Sequence, residues 1–379
     1  MNQIILSSKD NYLELSNYIK NNNISNIFVV CLKSIKKLNI YKYLEKLDNV
    51  KITYFNDFNP NPTYESVCNG VELFKQSGSN YIFAIGGGSA MDVAKCIKLY
   101  STLDSNDNYL KQKLEKNDVN LLAVPTTAGT GSEATKYAVI YYNGEKQSVT
   151  HDNCIPSVVL FDSSMLETLP IYQKKATVLD ALSHSFESLW SVNSTDESKK
   201  YANKAIDIIV NNFNSYLDGN NNVNEIMLYA SNFAGKAINI TQTTAGHAMC
   251  YKLTSLYGIS HGHAAALVNS ELLPYMINNI NNCCDSRGEY YLRKVFWNLG
   301  LILKLENVNE LCDYLRNLLD SLNLYDVEFN YDDIDLLVDS VNVTRLKNNP
   351  VELSKNDIRE IYLNIFSQIE KRRTKNGSK

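Results

Sequence analysis

Three of the five histidines in this 379-residue chain, His247, His261 and His263, fall within residues 246–263. Imidazole nitrogens are common ligands of divalent metal ions, so this clustering suggests a metal site. The alternative is a pair of helices joined near Gly258 whose histidines serve packing alone. The rest of the sequence has to distinguish these two interpretations.

A carboxylate and a fourth imidazole occur upstream in LDALSHSFES, where Asp180 and His184 are four residues apart. That spacing places both on one face of a helix. Glu187 lies one turn further along, where it could hydrogen-bond a ligating histidine. An Asp-x-x-x-His pair is common on protein surfaces, so the metal hypothesis depends on its combination with His247 and His261. One carboxylate and three imidazoles suit Fe(II), Zn(II), Mn(II) or Ni(II).

A glycine-rich turn follows a predicted strand in YIFAIGGGSAMDVAK, residues 81–95. The turn comprises Gly86, Gly87, Gly88 and Ser89, and the predicted helix after it contains Asp92. Glycines let a ligand approach the backbone, and the helix start offers unpaired N–H groups at a positive dipole end. The pattern predicts a phosphate-binding turn, although a turn that serves only chain topology is the alternative. The lack of a P-loop ending argues against a kinase or NTPase.

A second polar loop, TTAGTGSEATKYAVI at 126–140, follows the predicted strand LLAVP. Short hydroxyl side chains surround its two glycines: Thr126, Thr127, Thr130 and Ser132. Hydroxyls and backbone amides together suit pyrophosphate and ribose, whereas an ordinary Ser/Thr turn is the alternative. Two such loops, each after a strand, favour a dinucleotide over a mononucleotide.

Composition is that of a globular protein, with 44% hydrophobic and 21% charged residues. The net charge of −4 indicates neither nucleic-acid binding nor attraction to an anionic membrane. The N-terminus lacks a signal-peptide pattern, and no apolar run approaches the roughly 20 residues that span a bilayer. Eight cysteines without a C-x-x-C pair predict a reducing, cytoplasmic location.

The chain length predicts two domains. In the first half, the predicted strands NIFVVCL, KITYF, YIFAI, NLLAVP and SVVLFD alternate with helical segments such as KSIKKLNIYKYLEKL, which indicates a parallel sheet. After about residue 174, nearly every long segment has helical spacing. We therefore expect an α/β domain at 1–174 that binds the dinucleotide and an all-α domain at 175–379 that binds the metal.

Several motifs, in order along essentially the whole chain, resemble the iron-containing (group III) alcohol dehydrogenase family: NPNPT, GGGSAMDVAK, PTTAGTGSEAT, LDALSHSFES, GHAMCYKLTSLYGISHGHAAAL and RLKNNPVELS. The resemblance implies the fold shared with dehydroquinate synthase, a homodimer and an NAD(P)H cofactor. It also implies metal ligation, with Fe(II) as the expected ion, by Asp180, His184, His247 and His261. The cofactor-binding residues predicted from the two loops and the resemblance are Gly86, Gly87, Gly88, Ser89, Asp92, Thr126, Thr127, Thr130 and Lys146.

Two positions depart from the family pattern. Many members carry an aspartate after the first strand, where it can bind the adenosine ribose, but here Leu32 is followed by Lys33 and Ser34. NADPH is therefore expected to be tolerated as well as NADH. Many members also have a histidine four residues after the third metal ligand, where this chain has Tyr251. The predicted proton relay uses Tyr251, His263, a ribose hydroxyl or water.

Within the family, GSEATKYAVIYYNGEKQS, ESLWSVNST and KAINIT are most similar to the phosphonoacetaldehyde reductase branch, which forms 2-hydroxyethylphosphonate. Lys136, at a position that approaches the substrate in relatives, could pair with the acid group of a small anionic aldehyde. Lys236, Lys252 and Arg345 are further candidate cations. The alternative for each of these cations, including Lys136, is a solvated surface side chain.

Other functions stay open at this point. A sulfoacetaldehyde reductase would act on a sulfonate of similar shape, and a general primary alcohol or semialdehyde dehydrogenase would need no anion site. Glycerol-1-phosphate dehydrogenase and dehydroquinate synthase are disfavoured by PTTAGTGSEAT and by the spacing of His247 and His261. A metal- or nucleotide-binding sensor is disfavoured because the ligand set and the glycine turn are both present.

Overall fold

A computed structural model describes residues 3–377 of the chain. The chain forms two compact units. The first contains the residues up to Leu169 together with Asp218–Gly235. The second contains Pro170–Leu217 and the residues from Lys236 onwards.

The first unit is built on eight strands of the described chain. They are β1 (Ile4–Ser7), β2 (Asn26–Cys31), β3 (Lys51–Phe55), β4 (Tyr81–Gly86), β5 (Asn120–Pro125), β6 (Tyr137–Tyr142), β7 (Glu145–Thr150) and β8 (Val158–Phe161). Six of them form one parallel sheet in the order β1-β8-β5-β4-β2-β3. The other two, β6 and β7, form an antiparallel hairpin.

Helices connect the parallel strands of this sheet. They are α1 (Lys9–Asn21), α2 (Asn39–Leu44), α3 (Tyr64–Ser77) and α4 (Gly88–Tyr100). The inner strands β4 and β8 are buried at every residue, as are nearly all residues of β2 and β5. Strands of a parallel sheet covered on both faces are apolar along their whole length, which is why these runs do not alternate. The predicted parallel α/β domain is confirmed.

Some local predictions for the first unit were wrong or incomplete. The segment KSIKKLNIYKYLEKL is not one helix, because the extended backbone of Leu38 separates a 3₁₀ turn at Lys33–Lys37 from α2. The edge strand β1 and the β6–β7 hairpin were not predicted. The hairpin turns at Asn143 and Gly144, which both have positive φ angles of 51° and 78°. Asn-Gly is the preferred pair for such a turn.

The remainder of the described chain is helical, as predicted for the C-terminal domain. The helices are α5 (Ile171–Trp190), α6 (Asp196–Leu217), α7 (Asn224–Thr241), α8 (Ala245–Tyr257), α9 (His261–Asn278), α10 (Gly288–Ile302), α11 (Val308–Ser321), α12 (Ile334–Asp339), α13 (Val343–Leu346) and α14 (Lys355–Gly377). No helix within residues 3–377 has both the length and the apolarity needed to cross a bilayer.

The segment Asp218–Gly235 belongs to the first unit, which the predicted boundary at 174/175 does not anticipate. Its side chains contact the first unit directly. Asn232 Nδ2 donates to Glu133 Oε1 at 3.3 Å, and Ser231 Oγ accepts from the Gly131 amide at 3.2 Å. Helical spacing identifies a helix but does not show which core it packs against.

Candidate functional site

Three helices of the second unit bring together one carboxylate and two imidazoles, a group of side chains that we call the metal cluster. Asp180 on α5, His247 on α8 and His261 on α9 have ligand atoms that all lie within 4.8 Å of one another. His247 Nε2 is 3.4 Å from Asp180 Oδ1, and His184 Nε2 is 3.9 Å from the same oxygen. Two donors bound to one ion at about 2.1 Å lie roughly 3 to 3.5 Å apart, so this donor set fits a single divalent ion.

The fourth predicted ligand, His184, lies at the edge of this group. Its ring stacks on His247, with centroids 4.5 Å apart and an interplanar angle of 15°. Both imidazoles are buried. The rings of His247 and His261 meet nearly edge-to-face at 5.3 Å. Ligation by all four residues stays a prediction, and their proximity in the folded chain supports it.

A glycine allows α9 to begin close to α5. A Cβ atom on Gly262 would lie 2.1 Å from the carbonyl oxygen of Ala176 and 2.5 Å from Cβ of Asp180. Any other residue would therefore push the first turn of α9 away from α5. Since His261 is the first residue of α9, the glycine next to it keeps this imidazole beside Asp180.

Glu187 fixes the orientation of His247. Its carboxylate is completely buried, and Oε1 lies 2.5 Å from His247 Nδ1. The same carboxylate accepts hydrogen bonds from the Thr244 amide at 2.6 Å and from Asn269 Nδ2 at 3.0 Å. Because Nδ1 of His247 donates to Glu187, Nε2 is the nitrogen that faces Asp180. Asn269 was not predicted, since its contact joins positions 82 residues apart.

The buried charges of the cluster stabilise one another. Burial alone would raise the pKa of Asp180, but the neighbouring histidines His184, His247 and His261 lower it well below the ordinary value. Burial would likewise raise the pKa of Glu187, and its contacts with His247 bring it down to about 2. For His247, Glu187 and Asp180 outweigh burial and raise the pKa to about 9. Both carboxylates are therefore ionised at neutral pH, as metal binding requires.

Tyr251, a predicted member of the proton relay, contacts the cluster. Its ring stacks on His261 with centroids 5.2 Å apart and an interplanar angle of 19°. Its hydroxyl accepts a hydrogen bond from Nη1 of Arg345, whose guanidinium carbon is 5.0 Å from the centre of the tyrosine ring. Burial raises the pKa of the Tyr251 hydroxyl, so the phenol is protonated at neutral pH.

His263 has different neighbours from the other two histidines of its stretch. It is buried, its Nε2 donates to the carbonyl oxygen of Leu324 at 2.7 Å, and its Nδ1 lies 3.2 Å from the Tyr172 hydroxyl. Burial lowers the pKa of His263 to about 4. Both ring nitrogens of this neutral imidazole are therefore hydrogen-bonded within the second unit. A catalytic role for it stays a prediction.

In the first unit, the glycine-rich turn lies beside the second polar loop. The Thr126 amide donates to the carbonyl oxygen of Gly86 at 3.1 Å. A Cβ on Gly87 would be 3.5 Å from Thr127 Oγ1, and one on Gly88 would be 3.3 Å from Thr130 Cγ2. The turn leads directly into α4, whose first amides lack intrahelical acceptors as at any helix start. Its partly exposed residues, together with those of the loop, suit a phosphate-containing ligand: Gly87, Gly88, Ser89, Thr126, Thr127 and Thr130.

A buried lysine that was not among the predicted site residues connects α4 to the second loop. Lys95 Nζ donates to Ser132 Oγ at 3.0 Å, to Thr135 Oγ1 at 3.1 Å and to the Tyr137 carbonyl oxygen at 2.7 Å. Asp92, one turn earlier, accepts from Ser132 Oγ at 3.1 Å. Asp92 thus stabilises the loop through this hydrogen bond. Contact between its carboxylate and the cofactor stays a prediction. A lysine within the apolar helix sequence AMDVAKCI was the available signal for Lys95.

The two remaining predicted residues, Lys136 and Lys146, belong to the same unit. Lys136 Nζ lies 3.8 Å from Asp152 Oδ1, and about a third of its side chain (32%) is exposed. Lys146 lies on β7 opposite Tyr141 of β6. Its charge counteracts the rise in the pKa of Asp92, which burial causes. Substrate contact by Lys136 and cofactor contact by Lys146 stay predictions.

Comparison with known proteins identifies the family. The profile of iron-containing alcohol dehydrogenase matches residues 2–163, and that of the C-terminal part of the Fe-containing alcohol dehydrogenase family matches 174–366. Alcohol dehydrogenase 4 of Saccharomyces cerevisiae is 32% identical over 274 residues, which cover 69% of this chain and 70% of that protein. NADPH-dependent butanol dehydrogenase of Clostridium saccharobutylicum is 29% identical over 336 residues, which cover 83% of each chain.

A solved structure agrees with this assignment. Sulfoacetaldehyde reductase from Bifidobacterium kashiwanohense, crystallised in complex with NAD+, has a TM-score of 0.83 at 25% identity. The match covers 96% of this chain and 97% of that one. Membership of this family implies NAD(P) and a divalent metal ion as cofactors. The chain belongs to the iron-containing alcohol dehydrogenase family and is an oxidoreductase that interconverts alcohols and aldehydes.

Proposed function

We propose that this enzyme uses NAD(P)H to reduce a small anionic aldehyde to a primary alcohol, with phosphonoacetaldehyde as the first candidate substrate and 2-hydroxyethylphosphonate as its product. The observation that carries the proposal is the convergence of Asp180, His247 and His261 within 4.8 Å of one another. This donor set can hold a divalent ion beside a substrate oxygen. The branch resemblance and the cations of the chain support the anionic substrate.

The metal centre comprises Asp180, His184, His247 and His261, with Fe(II) as the proposed ion and Zn(II), Mn(II) or Ni(II) as alternatives. When bound, the ion supplies Lewis acidity that polarises the aldehyde carbonyl. Asp180 contributes the negative charge of the centre. Glu187 holds His247 so that Nε2 is available for ligation.

The cofactor-binding residues are proposed to lie in the first unit. Amides of Gly86–Ser89 bind the pyrophosphate at the start of α4, and the hydroxyls of Thr126, Thr127 and Thr130 contact phosphate or ribose. The cofactor supplies the hydride. Lys33 and Ser34 are exposed after β2, where an acidic residue would have repelled a 2′-phosphate. We therefore expect both NADPH and NADH to be used.

Protonation of the product oxygen requires a donor near the metal centre. The Tyr251 hydroxyl is the first candidate, since its ring stacks on His261 and its raised pKa keeps the proton in place. His263, a ribose hydroxyl and water are the other members of the proposed relay. We also propose that the enzyme is a homodimer and that it is located in the cytoplasm.

Sulfoacetaldehyde is the second candidate substrate, favoured by the similarity to a structure named sulfoacetaldehyde reductase. A sulfonate has the shape of a phosphonate with one charge fewer. A neutral aldehyde is the third candidate, since another relative is named butanol dehydrogenase. Charge on the substrate therefore distinguishes these candidates.

The test is an assay of NADH and NADPH oxidation by purified enzyme loaded with one metal at a time. Phosphonoacetaldehyde, sulfoacetaldehyde and butyraldehyde are compared by kcat/KM. We expect an anionic aldehyde to exceed butyraldehyde by about tenfold or more, because an ion pair with the substrate is strong in a partly dry site. Equal values for butyraldehyde would contradict the anionic substrate. Failure to oxidise either cofactor with any aldehyde would contradict the reaction itself.

A further inference from the structure

Arg345 differs from the other arginines in having no acidic partner within residues 3–377. The sequence contains seven arginines, all after residue 286. Six of them lie within 4.0 Å of a carboxylate oxygen: Arg287, Arg293, Arg316, Arg359, Arg372 and Arg373. Among residues 3–377, no carboxylate comes this close to Arg345. A partly buried cation without a counter-ion favours the binding of an anion.

The position of Arg345 is set by Tyr251. Nη1 donates to the tyrosine hydroxyl, and the guanidinium carbon lies 5.0 Å from the ring centre. The same ring stacks on the imidazole of His261, with centroids 5.2 Å apart. The guanidinium and an imidazole of the metal cluster therefore contact the same tyrosine.

This proximity suits a short substrate with an acid group. If the aldehyde carbonyl lies at the metal cluster, an acid group joined to it through one methylene must also lie close to the cluster. Guanidinium offers five N–H donors in a planar fork, of which the hydrogen bond to Tyr251 uses one. The remaining donors of Arg345 can bind two oxygens of a phosphonate or sulfonate at once.

We infer that Arg345 binds the acid group of the substrate and determines the specificity of the enzyme for anionic aldehydes. The inference rests on the proposed function and assigns the substrate anion to a residue of the second unit. Lys136 is a weaker candidate for this role, because its Nζ already lies 3.8 Å from Asp152 Oδ1. Tyr251 is the positioning residue that holds the guanidinium at the cluster.

The test compares Arg345→Met and Arg345→Lys with a charge-matched control, Lys347→Met, which removes an exposed cation from the same segment. Arg345→Met should lower kcat/KM for phosphonoacetaldehyde and sulfoacetaldehyde about 100-fold, mainly through KM, because a buried charge contact is lost. Its kcat/KM for butyraldehyde should fall at least about tenfold less than for the anionic aldehydes, since the neutral substrate has no acid group to lose. For the anionic aldehydes, kcat/KM of Arg345→Lys should lie between the values of wild type and Arg345→Met, since an ammonium keeps the charge but lacks the planar fork of donors. Lys347→Met should match wild type with all three aldehydes.

A binding measurement separates recognition from turnover. Ethylphosphonate has the acid group but no carbonyl to reduce, so its binding to the metal-loaded enzyme with NADH can be followed by calorimetry. We expect binding by wild type and by Lys347→Met, and loss of about 100-fold in affinity in Arg345→Met. Melting temperatures of the variants show whether each one folds.

Two results would overturn the inference, and they are distinguishable. In the first, Arg345→Met lowers kcat/KM equally for anionic and neutral aldehydes, which would mean that Arg345 only positions Tyr251. The proposed function would still hold in that case if the wild-type enzyme prefers anionic aldehydes. If wild type itself reduces butyraldehyde as well as phosphonoacetaldehyde, the proposed substrate class fails, and the role of Arg345 fails with it.

Discussion

The glycine-rich turn of the first unit and the metal cluster of the second unit are constructed in opposite ways. The turn is made of glycines and small hydroxyl residues, so its main property is the space it leaves beside the backbone. The cluster is made of carboxylates and imidazoles on α5, α8 and α9, of which Asp180 and His247 are buried, so its main property is a fixed set of donors. Consequently, added atoms should impair the turn, whereas removed donors should impair the cluster.

The largest expected effect is loss of one metal donor. Asp180→Ala and His261→Ala should each abolish metal retention and lower kcat/KM by at least about 1,000-fold, because the remaining donors cannot supply a complete Lewis-acid site. Metal content by mass spectrometry and aldehyde reduction are measured on the same samples. Circular dichroism confirms that the variants are folded. Full activity of either variant after metal removal would contradict a metal-dependent mechanism.

A smaller effect is expected when the donor stays and only its orientation is lost. Glu187→Gln should weaken metal binding by about 10- to 100-fold, since the carboxylate that holds Nδ1 of His247 becomes an amide. Competition with a chromophoric chelator measures this affinity directly. Glu197→Gln, at an exposed position on α6, is the matched control and should leave it unchanged. Equal affinities for Glu187→Gln and wild type would show that α8 and α9 orient His247 without Glu187.

Adding one methyl group tests the turn of the first unit. A Cβ on Gly86 would lie 2.6 Å from Cβ of Ala90, whereas the nearest side-chain atom to a Cβ on Gly87 is 3.5 Å away. Gly86→Ala should therefore lower the free energy of unfolding by about 1–3 kcal/mol, because α4 must shift. Gly87→Ala should keep the wild-type melting temperature and raise KM for NAD(P)H. Thermal unfolding and cofactor titration separate the two results, and a wild-type melting temperature for Gly86→Ala would contradict the packing argument.

The same contrast explains which parts of the site could be predicted from the sequence. The turn is local, so a strand, three glycines and a helix in YIFAIGGGSAMDVAK were enough to predict it. Asp180 and His184 could be paired by helical spacing. Lys95 was missed because its oxygen partners lie 37 to 42 residues away, and sequence spacing does not show such contacts.

The histidine stretch shows the limit of reasoning from proximity in sequence. His261 and His263 are two residues apart at the start of α9, and side chains at that spacing point to different sides of a helix. His261 accordingly belongs to the metal cluster, while His263 is hydrogen-bonded to Leu324. From the sequence, Arg345 could be predicted only as one of several candidate cations. Its distance from carboxylates depends on how the whole second unit folds.

An effect similar in size to that of Gly86→Ala is expected for a buried charge in the first unit. Lys98 on α4 is only 6% exposed, and burial lowers its pKa to about 8 from an ordinary value of 10.5. The unfolded chain therefore binds more protons between about pH 8 and 10.5, so stability should rise with pH across this window.

At pH 7 the charged, buried ammonium destabilises the fold. Lys98→Met should raise the free energy of unfolding there by about 2 kcal/mol and should flatten the rise above pH 8. Urea unfolding at pH 7 and pH 10 measures both effects, with the exposed Lys113→Met as control. Parallel pH curves for Lys98→Met and wild type would mean that the pKa of Lys98 is not lowered in the folded first unit.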